Sequence, residues 1–297
     1  MLKIRVPATS GNLGPGFDTM GMAFKLYNYI SFDVIPSGLE IEVLGEGADE
    51  ISRGENNKVF QAAQKVFERV KYQPKGLKII LENNIPITRG LGSSASIIIG
   101  GMVLANQISG GHLTKDEILK MAVDMEGHPD NVAPALFGGV TVAVSDINEV
   151  SYLKIDPPEK LHAVVAIPDF QLSTETARMV IPTMVDRSDA VFNIGRASLM
   201  IGALMKGDLH LFGKMMQDKL HQPYRMSLIP GMQDVFNHAK EQGALAVAIS
   251  GAGPTLIAFV EEEGEMVAEA MTKAFQKNGI AAKTMVLDPD IGGTILL

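Results

Sequence analysis

A glycine- and serine-rich run, RGLGSSAS at residues 89–96, constrains the fold of this chain more than any other segment. It lies between a short segment with the alternation of a β-strand and a long apolar segment typical of a buried helix. Backbone N–H groups are unpaired at such a strand-to-helix turn, and the helix dipole is positive there. The turn therefore favours a bound polyanion.

The residue types within the run fit the same interpretation. Gly90 and Gly92 lack a Cβ that would hold phosphate oxygens away from the backbone, while Ser93 and Ser94 add hydroxyls that can bind phosphate or Mg²⁺. The run predicts a nucleotide phosphate loop. Ordinary turn and helix-capping chemistry explains it equally well when it is taken alone.

Two more glycine-rich segments decide between these interpretations. They are PATSGNLGPGFDTMG at residues 7–21 and SGAGPT at residues 250–255. Each lies at the edge of a segment with strand character, so we expect three backbone loops to converge on one ligand. The central run has neither the Gly-Lys-Ser/Thr ending of a Walker loop nor the G-x-G-x-x-G of a dinucleotide-binding fold. Their absence disfavours both of these ways of binding a nucleotide.

Composition limits the classes of partner. The chain has 297 residues, a net charge of −8, no cysteine and no cluster of Lys and Arg. We therefore expect no nucleic-acid or membrane partner, no disulfide and no cysteine metal site. No apolar run is long enough to span a bilayer, and the chain begins with a strand pattern instead of a signal peptide. These features predict a cytoplasmic protein.

The order of predicted elements indicates an α+β protein with two domains, residues 1–150 and residues 151–297. Pro157 and Pro158 mark the boundary between them. Residues 29–34 and 39–44 alternate in period two and predict a hairpin. A capping box, Thr-x-x-Glu at residues 114–117, predicts the start of a helix that stops at a glycine.

The three glycine-rich segments, in this order, resemble the motifs of the GHMP kinase superfamily of small-molecule kinases. The resemblance implies the two-domain GHMP kinase fold, with an N-terminal mixed α/β domain and a C-terminal ferredoxin-like α+β domain. Two segments, EGHPDNVAPALFGG at residues 126–139 and QPYRMSLIPG at residues 222–231, resemble the members that phosphorylate L-homoserine in threonine biosynthesis. The implied substrates are ATP and L-homoserine.

The resemblance assigns the phosphates of ATP to the loop at residues 86–96 and a position near the adenine to Asn57. The implied ATP-binding residues are Asn57, Pro86, Ile87, Thr88, Arg89, Gly90, Leu91, Gly92, Ser93, Ser94, Ala95 and Ser96. Mg²⁺ prefers hard oxygen ligands, and Ser94 with Glu126 is the expected pair. Glu126 ends a predicted helix, where the dipole disfavours a carboxylate unless a cation is near. An exposed helix-terminal glutamate is the alternative.

Homoserine carries a carboxylate, an ammonium and a hydroxyl, and the resemblance implies a pocket for all three. Arginine binds carboxylates in a bidentate manner, so Arg178 and Arg225 are expected on the carboxylate and Asp18 on the ammonium. The implied substrate-binding residues are Asn12, Asp18, His128, Thr174, Arg178 and Arg225. Each has a structural alternative: surface salt bridges for the arginines, a loop position for His128 and a helix cap for Thr174.

Catalytic roles are implied for Asn131, Glu126 and Arg178. Mevalonate kinase and galactokinase relatives carry an aspartate, proposed as the base, where this chain has Asn131. Asparagine accepts no proton at neutral pH, so we expect Asn131 to position or polarise the acceptor hydroxyl. Phosphoryl transfer depends mainly on positioning and electrostatics, which makes a site without a discrete base physically acceptable.

Two alternatives to this assignment stay open in the sequence. One is another GHMP kinase, such as a mevalonate-type enzyme that acts on a different small alcohol. The other is a catalytically silent relative that binds a nucleotide or metabolite as a sensor. Relatives are often dimers, so a homodimer is one option for the oligomeric state, which the sequence leaves undecided.

Overall fold

The computed structural model describes residues 1–297, which form two sheets and the helices that cover them. The strands are β1 (Leu2–Gly11), β2 (Met20–Val34), β3 (Gly38–Gly45), β4 (Gly76–Asn83), β5 (Val140–Ser145), β6 (Val150–Ile155), β7 (His162–Pro168), β8 (Ala246–Ile249), β9 (Leu256–Val260), β10 (Ala282–Leu287) and β11 (Ile295–Leu296). The helices are α1 (Lys58–Val70), α2 (Ser93–Ile108), α3 (Lys115–Glu126), α4 (Pro129–Phe137), α5 (Thr174–Met179), α6 (Arg187–Lys206), α7 (Leu209–Met215), α8 (Gln222–Arg225), α9 (Met232–Glu241) and α10 (Glu265–Lys277). None of these helices combines the length and the hydropathy of a membrane span.

The first sheet has seven strands, with β11, β1, β2, β4 and β3 in this order, with β5 paired to β2 and with β6 paired to β5. All pairs are antiparallel except β3 with β4. The predicted hairpin of residues 29–34 and 39–44 is wrong, because β4 lies between β2 and β3. Alternation specifies the face to which side chains point, and it leaves the neighbouring strand unspecified. The parallel register of Leu39 with Leu77 and Ile41 with Ile79 puts apolar side chains on one face.

Helices α1 to α4 cover one face of this sheet. Their apolar side chains form a core with β1, β2 and β4, and α1 contributes the stripe Val59, Ala62, Ala63 and Val66. The apolar spacing predicts this stripe, since it lies on one side of a 3.6-residue period. Helix α4 was not predicted from the sequence. It carries Pro134 inside the helix, a residue that usually indicates a helix end.

The second sheet is antiparallel, with the strand order β10, β7, β9, β8. Its chain order of strand, helices, two strands, helix and strand is the ferredoxin-like arrangement, which confirms the predicted α+β fold. Both faces are buried. Ala163 and Val165 of β7 point to one core, and Val164 and Ala166 point to another core beneath α9 and α10.

A continuous core joins the two sheets. It contains Met22 and Phe24 of β2, Ala163 of β7, and Phe259 of β9, together with side chains of α6 and α7. The division at residues 150 and 151 stays a prediction, and the cut falls at the first residue of β6, which pairs with β5 in the first sheet. The shared core holds the glycine-rich loops of both halves against one another.

Candidate active site

The three glycine-rich segments converge, as the sequence predicts. The N–H of Thr9 donates to the carbonyl of Leu91 at 3.0 Å, which joins the first segment to the second. The N–H of Gly251 donates to the carbonyl of Gly11 at 3.2 Å, which joins the third segment to the first. The Ser250 hydroxyl donates to the carbonyl of Gly90 at 2.6 Å. Each loop is thus bonded to the other two.

A cavity of about 610 Å³ opens beside this junction. Its size falls within the range of small-molecule sites. The predicted site residues that line it are Asn12, Asp18, Asn57, Ile87, Thr88, Arg89, Gly90, Gly92, Ser93, Ser94, Glu126, His128, Asn131, Thr174, Arg178 and Arg225. Four predicted residues do not line it, namely Pro86, Leu91, Ala95 and Ser96.

The phosphate loop presents unpaired donors to this cavity. Gly92 caps the N-terminus of α2, and both Gly90 and Gly92 adopt positive φ, at 79° and 70°. The backbone N–H groups of residues 90–95 donate to no acceptor within the protein. A run of such groups at the positive end of a 16-residue helix is an anion-binding concavity.

The two glycines are also required by their neighbours. A Cβ on Gly92 would lie 1.9 Å from the Thr9 hydroxyl oxygen, and a Cβ on Gly90 would lie 2.2 Å from the carbonyl oxygen of Ser250. The sequence suggests only that these glycines make room for phosphate. The structure adds a second reason, because the loop is pressed against β1 on one side and the C-terminal glycine turn on the other.

Three side chains of the predicted loop point away from the cavity. Leu91 and Ala95 are fully buried in the cores. The Ser96 hydroxyl donates to the carbonyl of Ser93 at 2.9 Å and accepts from the Asn28 amide at 2.9 Å. Their side chains therefore hold the loop in place, and any contact with ATP is left to the backbone.

Ser94 and Glu126 both line the cavity and contact each other. The Ser94 hydroxyl donates to Glu126 Oε2 at 2.9 Å. Helix α3 carries Glu126 as its last residue, since it begins at the predicted capping box and ends at Gly127, whose φ is 97°. A hydroxyl and a carboxylate at this distance are hard oxygen ligands of the kind that Mg²⁺ selects.

Lys58, which was not predicted from the sequence, lies beside Ser94. Its Nζ lies 3.3 Å from the Ser94 hydroxyl. It is the first residue of α1, where the helix dipole disfavours a cation unless an anion is near. The same argument that points to Glu126 at a helix C-terminus would have identified Lys58.

Asn57 precedes Lys58 and is the N-cap of α1. Its Oδ1 accepts from the N–H of Val59 at 2.9 Å, and its Nδ2 donates to the carbonyl of Ser52 at 2.6 Å. Both ends of the amide are used within the protein, although the residue lines the cavity. Its contact with adenine stays a prediction.

Charged side chains also line the cavity. Arg178 donates to both oxygens of Asp18, at 2.9 and 2.6 Å. This hydrogen bond raises the pKa of Arg178. Asp18 and Asn12 adopt positive φ, at 57° and 71°, and the N–H of Asp18 donates to Asn12 Oδ1 at 3.0 Å. Such backbone in residues other than glycine is uncommon and concentrates at functional sites.

Arg225 also lines the cavity and is buried, with 1% of its surface exposed. Its Nε donates to the carbonyl of Ala177 at 3.0 Å and its Nη1 to the carbonyl of Gly251 at 3.1 Å. It forms no ion pair with any carboxylate, so the surface salt bridge considered as an alternative is wrong. Burial and the charge of Arg178 lower the pKa of Arg225 to about 10. The guanidinium thus lacks a counter-ion within the protein.

His221 supports Arg225 and was not predicted from the sequence. Its Nδ1 accepts from Arg225 Nη1 at 3.1 Å, and its Nε2 donates to the carbonyl of Gly14 at 2.8 Å. The ring stacks on Phe17, with centroids 5.0 Å apart. Burial lowers the pKa of His221, and the charge of Arg225 adds to this effect against the opposing charge of Asp218. The neutral ring connects the first glycine segment to Arg225.

His128, Asp130 and Asn131 stand at the start of α4. His128 Nδ1 lies 2.6 Å from Asp130 Oδ1. Burial lowers the pKa of His128, but the hydrogen bond and the charge of Asp130 outweigh it, so the pKa lies above its ordinary value. A Cβ on Gly11 would lie 2.1 Å from Asp130 Oδ2 and 2.5 Å from Asn131 Nδ2, so only glycine leaves room for this pair.

Thr174 begins α5 and lines the cavity. The helix is capped by Ser173, whose hydroxyl accepts from the N–H of Thr176 at 3.0 Å. The alternative of Thr174 as the cap is therefore wrong.

Comparison with known proteins agrees with this fold. Residues 57–139 match the family described as GHMP kinases N terminal domain, and residues 200–277 match GHMP kinases C terminal. The fold and the phosphate loop thus define a small-molecule kinase of the GHMP class. The chain is 48% identical to homoserine kinase of Carboxydothermus hydrogenoformans, over 99% of this chain and 96% of the relative. It is 47% identical to homoserine kinase of Moorella thermoacetica, over 99% of both chains. The chain belongs to the homoserine kinase family.

Solved structures support the same family. The crystal structure of homoserine kinase from Cytophaga hutchinsonii has a TM-score of 0.90 and 28% identity, over 100% of this chain and 97% of that chain. L. major mevalonate kinase, solved in complex with R-mevalonate, has a TM-score of 0.71 and 16% identity, over 97% of this chain and 96% of that chain. The second likeness concerns the fold alone.

Proposed function

We propose that this chain transfers the γ-phosphoryl group of ATP to the side-chain hydroxyl of L-homoserine, yielding ADP and O-phospho-L-homoserine for threonine biosynthesis. One observation carries the proposal. A single cavity is lined both by the phosphate loop, with its unpaired backbone donors, and by the buried Arg225, which pairs with no carboxylate. The backbone donors suit a triphosphate, and Arg225 suits the carboxylate of a small amino acid, so we call these two sets of lining residues the phosphate end and the amino-acid end. The family of its relatives supports the same substrates.

Ser94 and Glu126 are the residues that would hold Mg²⁺. The hydroxyl and the carboxylate face each other at 2.9 Å, directly at the helix terminus that would bind the phosphates. Mg²⁺ needs few protein ligands because it keeps waters and phosphate oxygens in its shell. When bound, it neutralises charge on the phosphates. Lys58 adds a second positive charge beside Ser94.

The amino-acid end matches the two charges of homoserine. The carboxylate of the substrate is expected on Arg225, whose Nη2 donates to no protein acceptor, with Arg178 beside it. The ammonium is expected on Asp18. In the free protein, Asp18 and Arg178 neutralise each other. A bound zwitterion would replace this pairing, because its ammonium can pair with Asp18 and its carboxylate with Arg178. Asn12, His128 and Thr174 complete the proposed pocket.

The reaction forms one bond and breaks one. The homoserine hydroxyl oxygen attacks the γ-phosphorus, and the bond from that phosphorus to the bridging oxygen breaks, leaving its electron pair on ADP. The proton of the hydroxyl passes to a γ-phosphoryl oxygen and then to solvent. Asn131 orients the hydroxyl without taking the proton, which is sufficient where positioning and charge stabilisation dominate.

A coupled assay of ADP release tests the proposal. L-homoserine, mevalonate, L-serine and L-threonine are supplied in turn with ATP and Mg²⁺, and the product is identified by phosphorus NMR. We expect turnover with L-homoserine and a phosphate monoester on its side-chain oxygen. Turnover with mevalonate alone would replace the substrate, and binding of nucleotide without turnover of any alcohol would favour a sensor.

We also predict a cytoplasmic location and a homodimer for this protein. Cell fractionation measures the first, and light scattering of the purified protein measures the second.

A further inference from the structure

Thr9 occupies a position between the two parts of the site that must be brought together. It lies in β1 and has no exposed surface. Its N–H donates to the carbonyl of Leu91 in the phosphate loop at 3.0 Å. Its hydroxyl donates to Asn131 Oδ1 at 2.9 Å. A single buried residue therefore contacts the phosphate loop through its backbone and the proposed hydroxyl-orienting residue through its side chain.

The hydroxyl of Thr9 is the only protein partner of the Asn131 side chain. An amide has a carbonyl end and an NH₂ end, and it can turn either of them towards a substrate. Because Thr9 holds the carbonyl oxygen, the NH₂ group is left for the cavity that Asn131 lines. An NH₂ group can donate to the acceptor oxygen or to a phosphoryl oxygen, whereas the carbonyl could only accept from the substrate hydroxyl and would repel a phosphoryl oxygen.

The packing around Thr9 leaves little freedom for another arrangement. A Cβ on Gly92 would lie 1.9 Å from the Thr9 hydroxyl oxygen, and a Cβ on Gly11 would lie 2.5 Å from Asn131 Nδ2. Glycine at both positions lets the phosphate loop, β1 and the start of α4 approach closely. The Thr9 side chain thus fixes the distance between the backbone N–H groups of the phosphate loop and Asn131.

We infer that Thr9 is a positioning residue for phosphoryl transfer: its hydroxyl orients the Asn131 amide relative to the phosphate loop. The inference rests on the proposed function, because it assigns a task to Asn131 in that reaction. It adds a residue that contacts neither substrate. Misplacement of a reacting group by a fraction of an ångström lowers the rate of transfer more than the binding of substrates.

Variants of Thr9 separate the hydroxyl from the rest of the residue. Thr9→Val and Thr9→Ala remove the donor and keep the backbone contact with Leu91, while Thr9→Ser keeps the donor. We expect kcat to fall about 10- to 100-fold in the first two variants, with the KM for ATP and for L-homoserine changed less than threefold. Thr9→Ser should keep most of the activity.

Thr141→Val is the matched control. Thr141 is equally buried and its hydroxyl has no partner, so the same substitution should leave kcat unchanged. Melting temperatures measured for all variants identify any that are simply unfolded. If Thr9→Val and Thr9→Ala both fold and keep the kcat of the unmodified protein, the inference is wrong. A KM increase without loss of kcat would also overturn it, since it would indicate a role in binding.

A double-mutant cycle shows whether Thr9 acts through Asn131. Asn131→Ala is combined with Thr9→Val, and we expect the second change to have no further effect on kcat once the amide is gone. Full additivity would contradict the inference. The cycle is interpretable only with an active unmodified protein. If that protein fails to phosphorylate L-homoserine, the proposed function is wrong, which is distinct from a failure confined to the Thr9 variants.

Discussion

The two sets of residues that line the cavity, the phosphate end and the amino-acid end, would recognise charge in different ways. The phosphate end uses backbone N–H groups of residues 90–95 and the terminus of α2. The amino-acid end uses charged side chains, Asp18, Arg178 and Arg225, each held by further hydrogen bonds. Backbone donors bind any polyanion of suitable size, whereas fixed side-chain charges discriminate a small zwitterion by the spacing of its two poles. The comparison predicts that substitutions at the two ends change different kinetic constants.

The largest effect is expected at the phosphate end. Glu126→Ala removes the only carboxylate bonded to Ser94, and we expect kcat to fall about 10²- to 10³-fold with a smaller change in the KM for L-homoserine. The physical reason is that charge on the phosphates would be neutralised less well during transfer. Steady-state kinetics over a range of Mg²⁺ concentrations measure this.

Asp124→Ala on the same helix is the control for Glu126. Asp124 is exposed and pairs only with Lys120, so its removal should leave kcat and the dependence on Mg²⁺ unchanged. If the Glu126 variant raised only the KM for L-homoserine, the division of the cavity into two ends would be wrong.

The next effect is expected at the amino-acid end. Arg225→Ala should raise the KM for L-homoserine about 10- to 100-fold, because the substrate loses a charged hydrogen bond in a buried place. Arg178→Ala should raise it less, since Arg178 is more exposed and already shares its charge with Asp18. Arg225→Lys should not restore affinity, as lysine cannot keep the contacts of the planar guanidinium with Ala177 and Gly251.

The two arginine variants are also expected to differ in melting temperature. Removal of Arg225 relieves the desolvation cost of a buried charge, but it also leaves a cavity and unpairs the carbonyl groups of Ala177 and Gly251. We expect Arg225→Ala to lower the melting temperature more than Arg178→Ala, because the Arg178 side chain is more exposed. An equal KM for both arginine variants and the unmodified protein would disprove the proposed pocket.

The smallest effect concerns pH and His221. Burial lowers the pKa of His221 below its ordinary value of 6.5, so between the folded pKa and 6.5 the unfolded chain binds a proton that the folded chain does not. The free energy of unfolding therefore rises with pH in this window, and stability is lost as the pH falls below 6.5. Chemical denaturation at pH 7.5 and pH 5.5 measures the change.

His221→Asn is the matched comparison for this pH dependence. It removes the titrating group, so we expect a smaller loss of unfolding free energy between the two pH values than in the unmodified protein. An identical loss in both proteins would show that His221 does not contribute to the pH dependence. A larger loss in the His221→Asn variant than in the unmodified protein would contradict the sign, whereas His128, whose pKa is raised, contributes equally to both proteins.

Sequence reasoning succeeded where the physical cause is local. The strand-to-helix turn at residues 89–96, the capping box of α3 and the strands on either side of the C-terminal glycine turn all depend on neighbouring residues. It failed for the hairpin, because β4 enters between β2 and β3 from a distant part of the chain. Helix α4 was missed since its internal proline argues against a helix.

The site residues divide in the same way. Glu126 and the phosphate loop follow from motif and helix position. His221 carries no local pattern that marks it. Thr9 lies in the first glycine-rich segment, but nothing in that segment specifies its role, and the partners Gly14 of His221 and Asn131 of Thr9 are far away in sequence. Lys58 stands between these cases, because a cation at a helix N-terminus is visible in the sequence once the start of α1 is known.

The family, the α+β fold class and the loop proposed to bind phosphate follow from the amino-acid sequence, because they depend on motifs and on periodicities of a few residues. The pairing of Asp18 with Arg178, the lack of an ion pair at Arg225 and the hydrogen bond from Thr9 to Asn131 are visible only in the folded protein. Such facts depend on which donors and acceptors remain unpaired after distant strands and helices have packed. That remainder depends on the whole fold and cannot be obtained from any single segment.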